Sequence, residues 1–397
     1  MMTGYLLARA GIDVIVLEKH EDFLRDFRGD TIHPSTLEVM AELGLLDDFL
    51  KRPHQEVRYA EGEIGNERIR LADLSHLPTR CKFIALMPQW DFLNFLAEKA
   101  RRFPAFRLMM KTEATDLLRD RERVVGVVAR RETEVVHIRS ELVIAADGRH
   151  SRLREAAGLV VKDLGAPMDV LWFKLRRRED GRRAVLGRIE AGQVLVMLDR
   201  GDYWQCALII RKGTAGAVKA AGLDAFRARV AKLAKRDSAD EITNWDDVKL
   251  LTVAVDRLER WYQPGLLVIG DAAHAMSPIG GIGINLAVQD AVATANILAE
   301  SFGRKTITLE DLRRIQRRRT FPTWATQALQ LAIQNNVIDP ILDSGATPKV
   351  PGIVRLMQRW PALQRIPARI IGIGFRPEHI TSPAIAQARG ERAITSL

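Results

Sequence analysis

The chain has 397 residues, 47% hydrophobic and 28% charged, which argues against wholesale disorder and suits two domains or one large elaborated domain. Lys plus Arg number 60 against 50 Asp plus Glu, a formal charge of +10; the basic residues are scattered and no nucleic-acid motif accompanies them, so the excess reads as solubility and anion attraction. Cys81 and Cys206 lie far apart with no metal or redox spacing, no run of about twenty apolar residues suggests a membrane span, and Met1-Met2-Thr3 does not open a signal peptide, so a cytoplasmic protein is expected.

Residues 2–10 carry apolar side chains at helical spacing and stop at Gly11, a good helix terminator. The β-branched run 12–17 predicts a strand covered on both faces in a parallel sheet, ending at Glu18 and Lys19. A helix is predicted over 36–49, short strands and turns over 58–86, and a helix over 88–103 with Trp90, Leu93, Leu96 and Ala97 on one side. Segments 124–128 and 135–138 read as a hairpin, and 141–146 as a second buried strand delivering Asp147-Gly148. From 169 to 210 the pattern becomes strands and turns, an antiparallel sheet inserted into an α/β framework. A basic helix over 215–235, a strand over 248–255 and a short buried strand over 266–269 follow, the last delivering Gly270-Asp271. Beyond Asp290 the chain is predicted to be mainly helical, broken by Pro322, Pro340, Pro348 and Pro351.

The expected fold class is α/β: a Rossmann-like, mostly parallel three-layer domain, an inserted antiparallel β-sheet domain for substrate, and a helical C-terminal region. The first domain is assigned residues 1–50, 86–165 and 256–315, the second 51–85 and 166–255, and the helical region 316–397.

Ligands of open α/β sheets bind beyond the carboxyl ends of the strands, and three such ends carry acids or glycines here: Glu18, Asp147-Gly148 and Gly270-Asp271. Glu18, at the end of the 12–17 strand, suits the hydroxyls of an adenine nucleotide's ribose. Gly270-Asp271 precedes Pro278-Ile279-Gly280-Gly281-Ile282-Gly283-Ile284-Asn285, which opens onto a helical pattern. Glycines there let the backbone approach a flat ring, and the helix start offers free N–H groups and a positive dipole end.

The run Gly270-Asp271-Ala272-Ala273-His274, with Pro278, Gly280, Gly283, Asn285 and Asp290-Ala291, resembles the C-terminal FAD motif of the para-hydroxybenzoate hydroxylase-type flavoprotein monooxygenases. Asp147-Gly148 is similar to that family's Asp-Gly motif, implicated in FAD and NAD(P)H binding, and Arg28 matches an arginine that contacts the flavin side chain. Gln89 stands where relatives carry a Gln or Arg reaching the ribityl or phosphate region. The resemblance implies FAD contacts at Glu18, Lys19, Arg28, Gln89, Asp147, Gly148, Gly270, Asp271, Pro278, Gly280, Gly281, Gly283, Ile284 and Asn285. Asp271 would bond the ribityl chain, Pro278 would line the ring, and the Gly283 and Ile284 amides would face a flavin carbonyl. His274 reads as a packing residue rather than a base. No metal site and no catalytic residue is named.

The family's Gly-x-Gly-x-x-Gly loop does not occur in this sequence. The expectation is therefore a truncated or mis-started form of a longer enzyme, inactive without the amides that hold the pyrophosphate, with a cofactor-poor paralogue as the alternative. The resemblance implies that NADH or NADPH reduces FAD transiently and that O2 then gives a flavin hydroperoxide, which transfers one oxygen atom to a small aromatic or other apolar organic substrate. Trp172, Phe173, Met197, Trp204 and Leu208 are candidates for an apolar substrate wall. A flavin-dependent reductase of the same superfamily, or a non-catalytic binding or membrane-surface protein, are the rival readings; a monomer or homodimer is expected. The arginines at 313, 314, 317, 318 and 319 and in the 355–376 segment read as a solvated helical face or packing stems, with a lipid-facing surface as the alternative.

Overall fold

The computed structural model describes residues 1–24, 31–177, 187–304, 306–346 and 348–384. Its first domain is built on two parallel strand pairs. Helix α1 (Met2–Arg9) leads into β1 (Val14–Leu17), followed by β2 (Thr31–Ile32), α2 (Pro34–Glu42) and α3 (Gln89–Ala100). Then come β3 (Phe106–Met109), β4 (Val143–Ala145), β5 (Leu266–Val268), α4 (Gly283–Gly303) and α5 (Leu309–Ile333). Strand β1 pairs with β3 from Val14↔Phe106 to Leu17↔Met109, and β4 pairs with β5 from Val143↔Leu266 to Ala145↔Val268.

Three layers follow from which face each element makes apolar. Leu6 of α1, Leu96 of α3, and Val292 and Ala295 of α4 form one core with Leu267 and Ile269. On the opposite side Val143, Ala145, Leu266 and Val268 pack against Leu117, Val124 and Val127 of a three-stranded antiparallel sheet, together with Trp261. Burial of such aliphatic side chains stabilises by roughly 1.5–3 kcal/mol each. The stretch Ile279–Gly303 is long and apolar enough to cross a bilayer, but 67% of its apolar window is buried as the core's central helix. The expectation that β1 is covered on both faces holds only in part. Ile15 is 44% exposed, so its face of β1 is left partly open, and among the described residues β1 pairs on one edge alone, with β3.

The second sheet has seven strands in the order Lys249–Leu251, Met168–Arg176, Tyr203–Arg211, Gln193–Asp199, Gly187–Glu190, Tyr59–Ile64 and Glu67–Asp73. Its pairings are antiparallel except Gly187–Glu190 with Tyr59–Ile64, which is parallel. That exception falls where two distant chain segments meet, so no hairpin dictates the direction. Alternation splits the sheet into two apolar faces. Leu171, Phe173, Leu195, Met197, Cys206 and Leu208 pack under the helix Leu223–Ala234. Residues of the other face, among them Trp172, Val194 and Val196, turn toward the first domain.

Three predicted helices differ in detail. The 36–49 helix is interrupted at Gly44 and the 215–235 helix at Gly222, both at positive φ. Pro322, expected to break the chain, lies inside α5, where the burial of Arg319, Pro322, Thr323 and Thr326 on one side of the helix outweighs one lost backbone bond. Beyond α5, helices α6 (Gly352–Arg359) and α7 (Arg365–Gly372) lie against the strand Glu67–Asp73. The chain then returns to the first domain, where Asn296 Oδ1 accepts from the amides of Thr381 and Ser382 at 3.0 and 2.8 Å.

Candidate functional site

Because β4 and β5 are parallel neighbours, the loops leaving their carboxyl ends emerge side by side. Asp147-Gly148 follows β4 and Gly270-Asp271 follows β5, and the Arg149 guanidinium stands 3.6 Å from the Asp271 carboxylate. Arg154 fastens the two loops, donating to the Ala272 carbonyl at 3.0 Å and to the Arg149 carbonyl at 2.6 Å. Asp147 is exposed and accepts from the Leu153 amide at 3.3 Å. Arg154 lies a few residues beyond Asp147-Gly148 in the chain, but its role is visible only once the two strand ends are adjacent.

Beyond Asp271 the chain makes one tight turn over Ile279–Gly281 before α4. A Cβ on Gly281 would fall 2.2 Å from Thr31 Oγ1, and its φ of +62 is in the left-handed region, so only glycine fits. Thr31 Oγ1 donates to the Gly281 carbonyl at 2.8 Å. Asn285 completes the clamp. Its Oδ1 accepts from the His33 amide (2.9 Å) and Thr36 Oγ1 (2.7 Å), and its Nδ2 donates to the carbonyls of Thr31 (3.1 Å) and Gly281 (3.3 Å). All four hydrogen-bonding positions of that amide are thereby used within the protein, so Asn285 acts by holding the glycine turn against β2.

Helix α4 opens at Gly283 with no side-chain cap. The amides of Gly283 and Ile284 therefore have no helical acceptor, and the positive end of the helix points out of the turn. The Asp271 carboxylate is 3.7 Å from where a Gly283 Cβ would stand. An uncapped, glycine-opened helix start with an acid at its rim fits a flavin: free amides for the electron-rich pyrimidine side and a carboxylate for a polyol hydroxyl.

Under this turn lies an ionic network whose members, Arg318 apart, are buried. Asp290 Oδ2 accepts from the Gly270 amide at 3.0 Å and from His274 Nε2 at 2.6 Å, while its Oδ1 accepts from Arg319 Nε at 2.8 Å. Arg319 continues to Glu378 at 3.3 Å, and Arg318 reaches the other Glu378 oxygen at 2.7 Å. Burial pushes the Asp290 carboxyl up, but His274 and Arg319 beside it outweigh that and hold it below the usual carboxylate range. His274 is 1% exposed and its ring lies 4.9 Å from that of Trp261, a packed position, as the sequence suggested.

Glu18 ends β1, with its amide donating to the Met109 carbonyl at 2.9 Å and its carboxylate accepting from the His20 amide at 3.0 Å. Lys19 is exposed, Gln89 is the half-buried first residue of α3, Pro278 is half-buried and Gly280 exposed. Arg28 lies outside the described residues. The expected apolar wall needs correction. Only Trp172 of the five faces the first domain; Phe173, Met197, Trp204 and Leu208 lie under the helix Leu223–Ala234. Alternation separates the faces, but not which one meets the cofactor. Ile279 of the glycine turn packs against Met168, Val194 and Ile209 on Trp172's side.

A parallel sheet that offers its strand ends to a flavin, closed over by a second sheet, defines the class as a flavin-dependent oxidoreductase. Comparison with known proteins gives the family: a family model described as FAD binding domain matches residues 1–311. The chain belongs to that family, among the FAD-dependent monooxygenases of the para-hydroxybenzoate hydroxylase type. It is 30% identical to 6-methylpretetramide 4-monooxygenase of Streptomyces rimosus over 372 residues, 92% of this chain and 88% of that one. It is 26% identical to a rifampicin monooxygenase of Streptomyces venezuelae over 73% of this chain, spanning 60% of that protein's length. In fold it is similar to p-nitrophenol 4-monooxygenase of Pseudomonas putida, with a TM-score of 0.74 at 18% identity, covering 92% of this chain and 93% of that one.

The protein is an FAD-dependent monooxygenase, and NAD(P)H as reductant is typical of its family. FAD, when bound, supplies the oxygen activation that no amino-acid side chain can. The chain's own residues would position and shield it: the Gly283 and Ile284 amides at the helix start and Asp271 at the rim would face it, and Arg154 and Asn285 hold the loops that carry them.

Proposed function

We propose that this monooxygenase hydroxylates an extended, fused-ring aromatic substrate lying against the second sheet. The observation that carries the reading is the half-buried apolar pair Trp172 and Val196 on the sheet face turned toward the first domain, beside Val194, which Ile279 of the glycine turn covers. An indole beside a β-branched side chain suits the apolar face of an aromatic ring system, with polar groups at its edge. The identity to a protein named for 6-methylpretetramide, over 92% of this chain, supports the same class.

The test measures NAD(P)H oxidation and O2 uptake with FAD-loaded protein, and the mass of the product, for a four-ring aromatic polyketide against p-nitrophenol. Gain of one oxygen atom by the four-ring compound, with NAD(P)H and O2 consumed in equal amounts, is expected. Turnover of the single-ring phenol alone overturns the substrate class. Reduction of the substrate without O2 uptake favours the reductase reading instead.

A further inference from the structure

The C-terminal helices carry chemistry that the flavin site does not use. Between Ser344 and Pro377 the chain has six cations, Lys349, Arg355, Arg359, Arg365, Arg369 and Arg376, and no Asp or Glu. Helix α6 is seated on its neighbour by a polar clamp. Gln358 accepts from the Arg70 amide at 3.2 Å and donates to the Arg70 carbonyl at 2.7 Å, and Val354 packs with Ile64, Ile69 and Val350. At about 100° per residue, seating Val354 and Gln358 inward turns Ile353, Leu356 and the C-cap Trp360 outward. They are 63%, 45% and 61% exposed. Arg355 and Arg359 flank this stripe, both exposed. In α7, Ile366 is 59% exposed between the exposed Arg365 and Arg369.

The surface is part of the rigid fold. Ala368 is fully buried, and a Cβ on Gly372 would fall 2.7 Å from Leu77, so α7 is pressed onto the sheet domain with no room to re-orient. Helix α6 meets the sheet through the half-buried Val354 and the Gln358 clamp, so its apolar stripe stays outside, and no described residue covers it.

We infer that α6 and α7 form a docking surface for an anionic lipid bilayer. An outward stripe of Ile, Leu and Trp flanked by cations is what seats a helix in the plane of a membrane interface, the indole at headgroup depth and the guanidinium groups on lipid phosphates. Charge selects this occupant over a second copy of the chain. A symmetric self-contact would set the same unopposed cations against each other. The one acid paired with the stripe, Glu67, is 3.8 Å from Arg355 with both side chains more than 60% exposed, so it does not neutralise the face.

The experiment is co-sedimentation of the purified full chain with vesicles of phosphatidylcholine alone, and with one third phosphatidylglycerol. Binding to the anionic vesicles only, weakening as salt rises, is the expected result. Removing a cation should lower partitioning about fivefold, so Arg355→Gln with Arg359→Gln lowers it roughly 25-fold. Leu356→Ser with Trp360→Ala should abolish binding, with thermal melts unchanged because these side chains are exposed. Quenching of tryptophan fluorescence by brominated lipid, lost in Trp360→Phe, gives a readout that needs no destabilising variant. Absence of binding, equal binding to neutral vesicles, or binding untouched by these substitutions overturns the inference. So does a dimer in light scattering that Trp360→Ala dissociates, which would assign the stripe to self-association.

Discussion

His33 shows how a single side chain joins the site to the rest of the chain. Its amide donates to Asn285 and its Nδ1 to the Ile371 carbonyl at 2.7 Å, linking the glycine turn to α7. Burial lowers its pKa from the ordinary 6.5 to about 4, against the opposing pull of the Ile371 and Gly280 carbonyls. As pH falls through 6.5 the unfolded chain takes up a proton that the folded protein refuses, so stability is lost between pH 6.5 and about 4 and is level with respect to this group outside that window. The full loss is about 3 kcal/mol. Urea unfolding at pH 7.5 and at pH 4.5, compared between wild type and His33→Gln, checks this. The wild type should lose markedly more stability on acidification, and equal losses would refute the account. The glycines of this turn were legible because their constraint is local: a positive φ and a close approach admit no other residue. Asn285's role was not, because its partners Thr31, His33 and Thr36 lie about 250 residues away in the chain.

Helices α4 and α5 illustrate what an amphipathic pattern conveys and what it omits. The apolar periodicity of α4 was readable, and so was the helical character of the region after Asp290, but not the pairing of one arginine among many. Arg319 sits in the run Arg317-Arg318-Arg319 and is chemically identical to its neighbours, yet it alone of the three is fully buried, 29 residues from Asp290 and 59 from Glu378 in sequence. Removing it leaves two buried carboxylates without their shared counter-charge, a change that costs about 3–5 kcal/mol. Arg319→Ala should therefore unfold at clearly lower denaturant and release FAD more readily, since Asp290 also holds the Gly270 amide. Arg319→Lys should recover part of the stability, because it keeps the charge but not the fork that reaches both acids. Denaturant midpoints and flavin fluorescence report the two effects separately. If Arg319→Ala matches Arg317→Ala in both, the network does not support the flavin turn.

At the scale of the whole molecule, the family match ends at residue 311, yet the cooperative unit extends well past it. The sequence could show that the C-terminal region was helical; it could not show that the segment after α7 folds back, since every contact that brings it home is long-range. Glu378 enters the buried network from outside the matched region, its amide bonding Gln289 of α4. The Ile380 amide donates to Glu42 at 2.7 Å, and Arg9 of α1 donates to the Ser382 carbonyl at 3.0 Å. Residues 378–382 thus close over helices α1, α2 and α4, while α6 and α7 lie against the second sheet. A chain stopped after Gly374 keeps the entire family-matched region and both C-terminal helices but loses these ties. Loss of Glu378 alone leaves Arg319 half-paired in the core, a penalty of about 3 kcal/mol or more. The shortened chain is expected to melt several degrees lower, still in a single transition, and α1 and α4 should become open to protease at temperatures where the full chain resists. Melting curves and limited proteolysis on the two proteins decide it. An unchanged melting temperature would mean that the returning segment decorates the domain without stabilising it, and two separate transitions would mean that the region after residue 311 folds apart from the flavin domain.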